Sequence, residues 1–256
     1  MSDNVQLSQG LLLGFLLVLT RIGSLFAFVP LPGNQAWPST AKVAFVLAMT
    51  FSLFPWWPKV DEYFSLGQLV ATMAGEAALG LAIGVLVSMF LESFIFGAQL
   101  ISVQAGYSYA ATIDPTTQTE SGVLSIVTQL LGGILFFLVG LDHLLLRAFV
   151  HSLERLPPGH FPWQSQVGPA LIRFGSEMFV TGLQLAFPVI ALLVLTDLCL
   201  ALLNRLNQQL QILSLSFSLK MLAGLFALAG VLGVLPLLYA KKIALLSHAI
   251  NALVGK

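Results

Sequence analysis

Six apolar stretches, each of which reaches or approaches the roughly 20 residues that span a bilayer, fill most of this sequence. Only 9% of the 256 residues are charged, whereas soluble domains carry about 25%. Too few ions remain to solvate a surface, so the chain must face lipid or other apolar protein. We therefore predict an all-α, polytopic membrane protein built from helical hairpins. The stretches cover approximately residues 10–30, 41–57, 67–105, 122–152, 170–203 and 212–240.

Charge and cysteine content narrow the functional class further. The formal net charge is zero, which gives no support to nucleic-acid binding. Cys199 is the single cysteine, so an internal disulfide is excluded and we expect a small, buried packing residue. The first ten residues contain no Lys or Arg, unlike a cleavable signal peptide, and we expect the first segment to be retained. Lys241 and Lys242 follow the last apolar stretch and favour a cytoplasmic C-terminus.

Two of the stretches are too long for simple membrane spans. A helix over residues 67–105 would measure about 59 Å at about 1.5 Å per residue, against about 30 Å of hydrocarbon. Either it breaks near Gly97, or it projects beyond the lipid into other protein. The stretch 170–203 contains Pro188 at mid-length, which predicts a kink. We therefore expect over-long, kinked helices.

A polar segment, residues 106–122, separates two of the longest apolar stretches and reads GYSYAATIDPTTQTESG. Irregular backbone is tolerated at membrane depth only where protein buries it or where it lines a watery cavity. The segment is therefore a candidate gate or plug, and the alternative is an ordinary connecting loop outside the membrane. The residues that define the candidate are Gly106, Tyr107, Tyr109, Asp114, Pro115 and Gly122.

Four ionisable residues lie inside apolar stretches, namely Arg21, Glu76, Glu92 and Asp197. A charge at mid-bilayer costs roughly 2.5–3.5 kcal/mol on insertion scales, so such residues usually face protein or water. They could mark an ion pathway, or they could form structural pairs and caps. Glu76 and Glu92 are sixteen residues apart, which places them on nearly opposite faces of a straight helix. One shared carboxylate site is therefore excluded on such a helix.

Two further patterns indicate helix packing. Asp197 and Arg205 are eight residues apart and could share a bundle-facing polar seam with Asn204. Gly80 and Gly84 form a small-xxx-small spacing that lets another helix approach closely.

The sequence offers no recognisable catalytic or metal-binding constellation. The histidines at positions 143, 151, 160 and 248 show no paired metal spacing. Neither a nucleophile–base motif nor a phosphate-binding loop is present in the sequence. Arg147 and His151 are one turn apart, a pattern typical of a solvated or headgroup-facing helix face. We therefore predict a protein that is not an enzyme and uses no cofactor.

An ordered series of short motifs runs along nearly the full length of the chain. It begins with Arg21, the break Pro30–Leu31–Pro32, Lys42, Glu76 with Gly80 and Gly84, and Val103–Gln104–Ala105–Gly106 leading to Asp114–Pro115. It continues with Gly140 and His143, Leu156–Pro157–x–Gly159, Pro188–Val189–Ile190, Leu202–Leu203–Asn204–Arg205, Gln209–Leu210 and Lys220. Each motif is weak alone, but their order and intervals are specific. In this series the chain resembles the FliR family, subunits of the export gate of the flagellar type III secretion apparatus.

The resemblance implies a non-enzymatic role in protein export. The family contributes one copy to a helical assembly with several copies of two sister subunits, FliP and FliQ. This assembly passes unfolded flagellar subunits across the bacterial inner membrane in the flagellar basal body, with FlhB at its cytoplasmic mouth. Residues 1–168 would then resemble FliP, and residues 169–256 would resemble the helical hairpin of FliQ.

The same resemblance assigns roles to individual residues. The segment 106–122 corresponds to the loop that plugs the closed channel, and Glu76 would serve contacts between subunits. The residues that we assign to inter-subunit contacts or packing are Arg21, Glu76, Gly80, Gly84, Asp197, Arg205 and Lys220. Two positions depart from the family, because Gln208 and Ser218 stand where prolines are usual. The connection 204–220 could therefore be more continuously helical or differently bent.

Three alternatives stay open at this stage. Virulence secretion systems use a related export-gate subunit, SctT, and we favour the flagellar one. A small-solute secondary transporter could use Arg21, Glu76 and Asp197 as its site, although two matching halves are not visible in the sequence. A passive scaffold would need no gating segment.

Overall fold

Long helices account for nearly all of the described chain. The computed structural model describes residues 2–29, 38–58, 65–107, 123–158, 167–206 and 212–254. Every long regular element in these ranges is an α-helix, which confirms the predicted all-α fold class. The helices are α1 (Ser2–Phe28), α2 (Ser39–Ser52), α3 (Leu66–Ala105), α4 (Val123–Leu138), α5 (Leu141–Arg155), α6 (Val167–Leu206) and α7 (Ile212–Val254), with a short 3-10 helix, Phe54–Trp56, after α2.

Four of these helices contain segments long and apolar enough to cross a membrane by length and composition. A fifth span is possible if α4 and α5 count as one interrupted crossing. The protein is therefore a polytopic helical membrane protein, as predicted. The four segments are Gly10–Phe28, Leu66–Ala105, Gly168–Leu206 and Leu235–Val254.

The chain forms two compact units, each assembled from separated pieces of sequence. The first unit comprises Met1–Met89, Gly140–Gly175 and Ile243–Lys256. The second comprises Phe90–Val139 and Ser176–Lys242. Helices α3, α6 and α7 therefore contribute to both. The division at residues 168 and 169 rests on likeness to sister subunits rather than on packing, and it stays a prediction.

The third apolar stretch is one unbroken helix of 40 residues. Of the two alternatives, the break near Gly97 is therefore wrong, and α3 extends to about 60 Å. Gly97 serves close packing instead. A Cβ added there would lie 2.8 Å from the Gly182 carbonyl oxygen of α6, within the second unit.

Two of the other long stretches, the fourth and the last, differ from their predicted boundaries. The fourth is two helices rather than one, interrupted at Gly140, whose φ of +74° suits a residue without a Cβ. Pro188 lies inside the single helix α6. The last helix continues past residue 240 to Val254, because the sequence around Lys241 and Lys242 is rich in strong helix formers.

Buried apolar side chains hold each unit together. In the first unit α5 buries one face at every fourth residue, formed by Leu141, Leu145, Phe149 and Leu153. In the second unit the core joins α3 to α6 and is lined by Ala98, Ile101, Ala105, Ala186, Val189 and Leu193. Cys199 was expected to be buried, and that prediction is wrong: it is exposed on α6. Lipid and protein cores select the same apolar residue types, so composition could not separate the two environments.

The close approach of α3 and α6 makes a testable prediction at Gly182. A Cβ added to Gly182 would lie 2.7 Å from the Ser93 carbonyl oxygen. We expect Gly182→Ala to destabilise the protein by about 1–3 kcal/mol through overpacking. Gly230→Ala is the matched control, because among the described residues no heavy atom lies within 4 Å of its added Cβ. There alanine should stabilise the helix by about 0.5–1 kcal/mol.

Thermal unfolding of the purified protein in detergent, followed by helical circular dichroism, would measure both variants. Opposite signs for the two substitutions are expected. Equal changes in stability would show that the close contact at Gly182 does not contribute to stability.

Candidate functional site

The most buried charged residues of the described chain form one centre in the first unit. Arg21 of α1 and Glu76 of α3 have side chains that are 1% and 0% exposed, and the Arg21 Nε donates to Glu76 Oε2. Burying two charges is tolerable only when they are paired and their other hydrogen-bonding groups are satisfied. Here the pairing lies within one chain, so the structural pair is the alternative that the structure supports.

The remaining Arg21 donors bind the C-terminal end of α5. Nη1 lies 2.9 Å from the Ser152 carbonyl oxygen and 3.3 Å from its Oγ, and Nη2 lies 3.0 Å from the Leu156 carbonyl oxygen. The last carbonyl groups of a helix lack partners within it and carry partial negative charge. Arg21 therefore acts as a side-chain cap for α5 and ties three helices together.

Gly80 and Gly84 lie where α1 and α3 approach most closely. A Cβ on Gly80 would collide with the Arg21 carbonyl oxygen, and one on Gly84 would lie 2.5 Å from the Leu25 carbonyl oxygen. The glycines let the two backbones come close enough for the side chains of Arg21 and Glu76 to meet. Whether Arg21, Glu76, Gly80 or Gly84 also contacts another subunit stays a prediction.

The start of the predicted plug segment is anchored in the second unit. Gly106 ends α3 with a φ of +88°, a conformation that favours glycine. The Tyr107 hydroxyl donates to the Met221 carbonyl oxygen of α7 at 2.9 Å, and its ring packs against the α3–α6 core. Tyr109, Asp114, Pro115 and Gly122 lie outside the described residues.

A polar cluster lies on the same three helices as this anchor. The Lys220 Nζ of α7 is 2.9 Å from Asp197 Oδ1, and the Gln104 Nε2 of α3 donates to Asp197 Oδ2 at 3.3 Å. The Asp197 side chain is 42% exposed, so this pair contributes little stability by itself. Arg205 and Asn204 are exposed instead of sharing a seam with Asp197. The predicted seam is therefore not formed within the chain.

In the structure the three residues of the transporter alternative belong to two different ion pairs. Arg21 and Glu76 pair with each other in the first unit, whereas Asp197 pairs with Lys220 in the second. Both pairs join an acid to a base, as expected for structural ion pairs. Within the described residues, groups of three or more potential metal ligands are not found.

Two contacts of the second unit were not predicted from the sequence. The Ser93 Oγ and the buried Tyr239 hydroxyl are 2.9 Å apart, and the Phe90 and Tyr239 rings pack edge to face. Gly97 and Gly182 meet on α3 and α6. Ser93 and Gly97 are four residues apart on one helix face, but their partners are distant in sequence, and a single sequence gives no signal for such pairs.

The long apolar helices define a polytopic helical membrane protein, and the buried Arg21–Glu76 ion pair links two of them within the chain. Comparison with known proteins then gives the family. The sequence profile described as "Bacterial export proteins, family 1" matches residues 12–246, which begins in α1 and ends in α7. The chain belongs to this family and, within it, to the FliR proteins of flagellar biosynthesis.

Three curated relatives illustrate the similarity, each described as "Flagellar biosynthetic protein FliR". The protein of Escherichia coli (strain K12) is 30% identical over 219 residues, covering 84% of this chain and 82% of the relative. That of Caulobacter vibrioides is 27% identical, covering 83% and 86%. That of Bacillus subtilis (strain 168) is 27% identical, covering 80% and 81%. The similarity thus extends over most of both chains in each case.

Proposed function

We propose that this chain is a subunit of the flagellar type III protein export gate and forms part of its protein-conducting channel. The observation that carries the proposal is the family match over residues 12–246, which includes parts of all seven helices. Family membership makes the chain a membrane-embedded flagellar export protein. The finer assignment, to the inner membrane at the flagellar basal body, belongs to the proposal.

The gate subunit acts by shape rather than by catalysis. Two ion pairs in the long helices, Arg21–Glu76 and Asp197–Lys220, join partners within the chain, and Arg21 also caps α5. The substrate would be an unfolded flagellar subunit, which needs a passage and a seal rather than a reactive group. A structural role for the FliR family is consistent with this assignment.

Sister subunits are the proposed occupants of the exposed apolar surface. Several large side chains of α6 and α7 are exposed in the single chain, including Phe187 at 66%, Leu206 at 84% and Phe226 at 74%. Apolar surface of this extent must be covered by lipid or protein. We assign much of it to FliP and FliQ, with FlhB at the cytoplasmic side, in a hetero-oligomeric helical assembly.

Residues 106–122 are the proposed plug of the closed channel. The segment is polar, leaves α3 through Gly106 and is held at its first residues by the Tyr107–Met221 hydrogen bond. Because its first residues are fixed to α7 and the rest is polar, the segment could leave the channel and return to the same closed position.

The test combines purification with a secretion assay in the native host. The tagged chain should copurify as a stable complex with two other membrane proteins, and a strain lacking the chain should secrete no flagellar filament protein. A lone monomer or dimer that binds a small solute would support the transporter. Normal filament secretion without the chain would end the flagellar assignment, and loss of a virulence secretion system instead would favour the SctT-like role.

A further inference from the structure

Glu92 differs from the other ionisable residues of the apolar stretches in its pairing. Arg21 pairs with Glu76, and Asp197 pairs with Lys220. The Glu92 side chain is half-buried on α3. Within the described residues its carboxylate forms neither a hydrogen bond nor an ion pair. The chain thus neutralises three of these four charges and leaves the fourth without a described counter-ion.

The surroundings of Glu92 make an unpaired carboxylate unfavourable. It lies 13 residues before the end of α3, inside the candidate membrane span Leu66–Ala105. In the sequence it is the only charged residue between Glu76 and Asp114. A carboxylate in such a segment normally faces protein or water and pairs with a base, because hydrocarbon does not solvate it. A counter-ion from outside the described chain is therefore expected.

Glu92 begins a stripe on α3 that continues along the second unit. The Glu92 stripe consists of Glu92, Ile95, Gln99 and Val103, which are three or four residues apart. At about 100° per residue they lie within about 80° of one another on the helix. Gln99 is exposed, Val103 is 65% exposed, and Glu92 and Ile95 are half-buried. The stripe is therefore an accessible face of α3.

Other residues of α3 contact the neighbouring helices of the second unit. Phe94 lies beside a glycine of α4, Gly97 meets a glycine of α6, and the Ser93 hydroxyl bonds to a tyrosine of α7. These three residues are about 100–160° round the helix from Glu92. Phe96 borders the stripe and packs against a phenylalanine of α6, with ring centroids 5.3 Å apart. The stripe thus points away from α4 and α7, and α6 covers only one edge.

The described basic residues of the second unit do not neutralise Glu92. Lys220 and Lys242 form ion pairs with acids of α6. Lys241 is exposed and lies two residues after the tyrosine that faces α3, so it points to the opposite side of α7. Arg205 is exposed at the C-terminal end of α6. A base for Glu92 must therefore come from another chain.

We propose that the Glu92 stripe binds a membrane helix of a neighbouring subunit, and that a lysine or arginine of this helix pairs with Glu92. The proposal rests on the proposed function, because it assigns one contact of the export gate. Residues three and four apart are the spacing at which two helices pack along each other. Ile95 and Val103 supply apolar contact, and the Gln99 amide can hydrogen-bond across the interface. Lipid tails could cover the apolar residues but not neutralise the carboxylate.

Copurification from the native host tests the pairing. We expect Glu92→Gln to lower the yield of copurifying membrane proteins about tenfold, because one partner of a charge pair at the interface is lost. Glu92→Lys should abolish copurification, and Glu92→Asp should retain more of the complex than Glu92→Gln. Glu154→Gln is the matched control: it removes the same charge from a side chain that is 50% exposed in the first unit, and its yield should be unchanged.

Thermal unfolding separates an interface role from a role in folding. Glu92→Gln removes no described bond within the chain, so the variant purified alone in detergent should unfold at the same temperature as the unmodified chain, or higher. The complex that contains the variant should come apart at a lower temperature than the unmodified complex. A lower unfolding temperature of the variant alone would overturn the proposal.

Photo-crosslinking identifies the helix that covers the stripe. A benzophenone amino acid at position 103 should form an adduct with a different membrane protein, on a helix that carries a lysine or arginine. An adduct with lipid only, with a second copy of this chain, or with a helix lacking a basic residue would overturn the proposal. If the unmodified chain copurifies normally and Glu92→Gln does so equally, the pairing alone fails. If the unmodified chain copurifies with no partner, the proposed function fails with it.

Discussion

Replacing Glu76 with glutamine is expected to destabilise the protein by about 3–5 kcal/mol, because it leaves the buried Arg21 charge without a counter-ion. Because glutamine can still accept a hydrogen bond from the Arg21 Nε, the lost stability reports the missing negative charge rather than a missing contact. A cost of this size is a large share of a typical total stability of about 5–15 kcal/mol. Thermal unfolding in detergent and the amount of protein in membranes would both report it.

A double variant distinguishes an ion pair from two independent residues. Arg21→Met with Glu76→Met removes both charges and leaves the Leu156 carbonyl oxygen without its Arg21 donor, whereas the Ser152 carbonyl oxygen keeps the Leu156 N–H. We expect it to lose only about 1–3 kcal/mol, less than Glu76→Gln alone. Glu177→Gln is the matched control, because that side chain is 42% exposed and should cost at most about 1 kcal/mol. If the double variant loses as much stability as the sum of the losses in Arg21→Met and Glu76→Met, or more, the pairing is contradicted.

Deleting residues 110–118 is expected to open the resting channel to ions while leaving the assembly intact. The deletion removes most of the polar segment but keeps Gly106 and Tyr107, whose contacts with α7 hold its start. Ion flux through the purified assembly in planar bilayers should rise from background to a measurable conductance. Secretion of flagellar subunits should persist, because the conduit itself is unchanged.

The deletion needs a control of equal length. A variant in which residues 110–118 are replaced by nine Gly and Ser residues keeps the chain length but removes Asp114 and Pro115. If the segment acts as a shaped plug, this variant should leak as well, though less than the deletion. Copurification of the sister subunits must be unchanged in both. A sealed, ion-tight assembly after deletion would refute the plug assignment.

The composition and the lengths of the apolar stretches were sufficient to predict the helical membrane fold. The scarcity of charge leaves helices as the simplest way to satisfy backbone groups in lipid. Helices α3 and α6 lie close to their predicted ranges, whereas α1 begins at Ser2, well before the predicted start at residue 10. Helix interruptions were harder to predict. Gly140 lies in an apolar stretch of helical period, and only its positive φ shows that the helix stops there.

The sequence predicted the surroundings of one polar centre, Arg21 with Glu76, but not the partner of Asp197 in the other. The cost of burying charge indicated that Arg21 and Glu76 should face protein, and the structure pairs them across 55 residues of sequence. The same reasoning could not choose the partner of Asp197, because Arg205 on the same helix and Lys220 on the next were both available. Contacts to backbone, such as those from Arg21 to Ser152 and Leu156, carry no sequence signal on the acceptor side.

The composite first unit has a consequence for biogenesis. It takes its last piece from residues 243–256, of which Leu246, Ile250 and Leu253 are buried. The helices made first must therefore wait in the bilayer, with an apolar gap on their surface, until the end of α7 has left the ribosome. Because lipid tails are as apolar as leucine, lipid covers that gap during translation, and the end of α7 then displaces it.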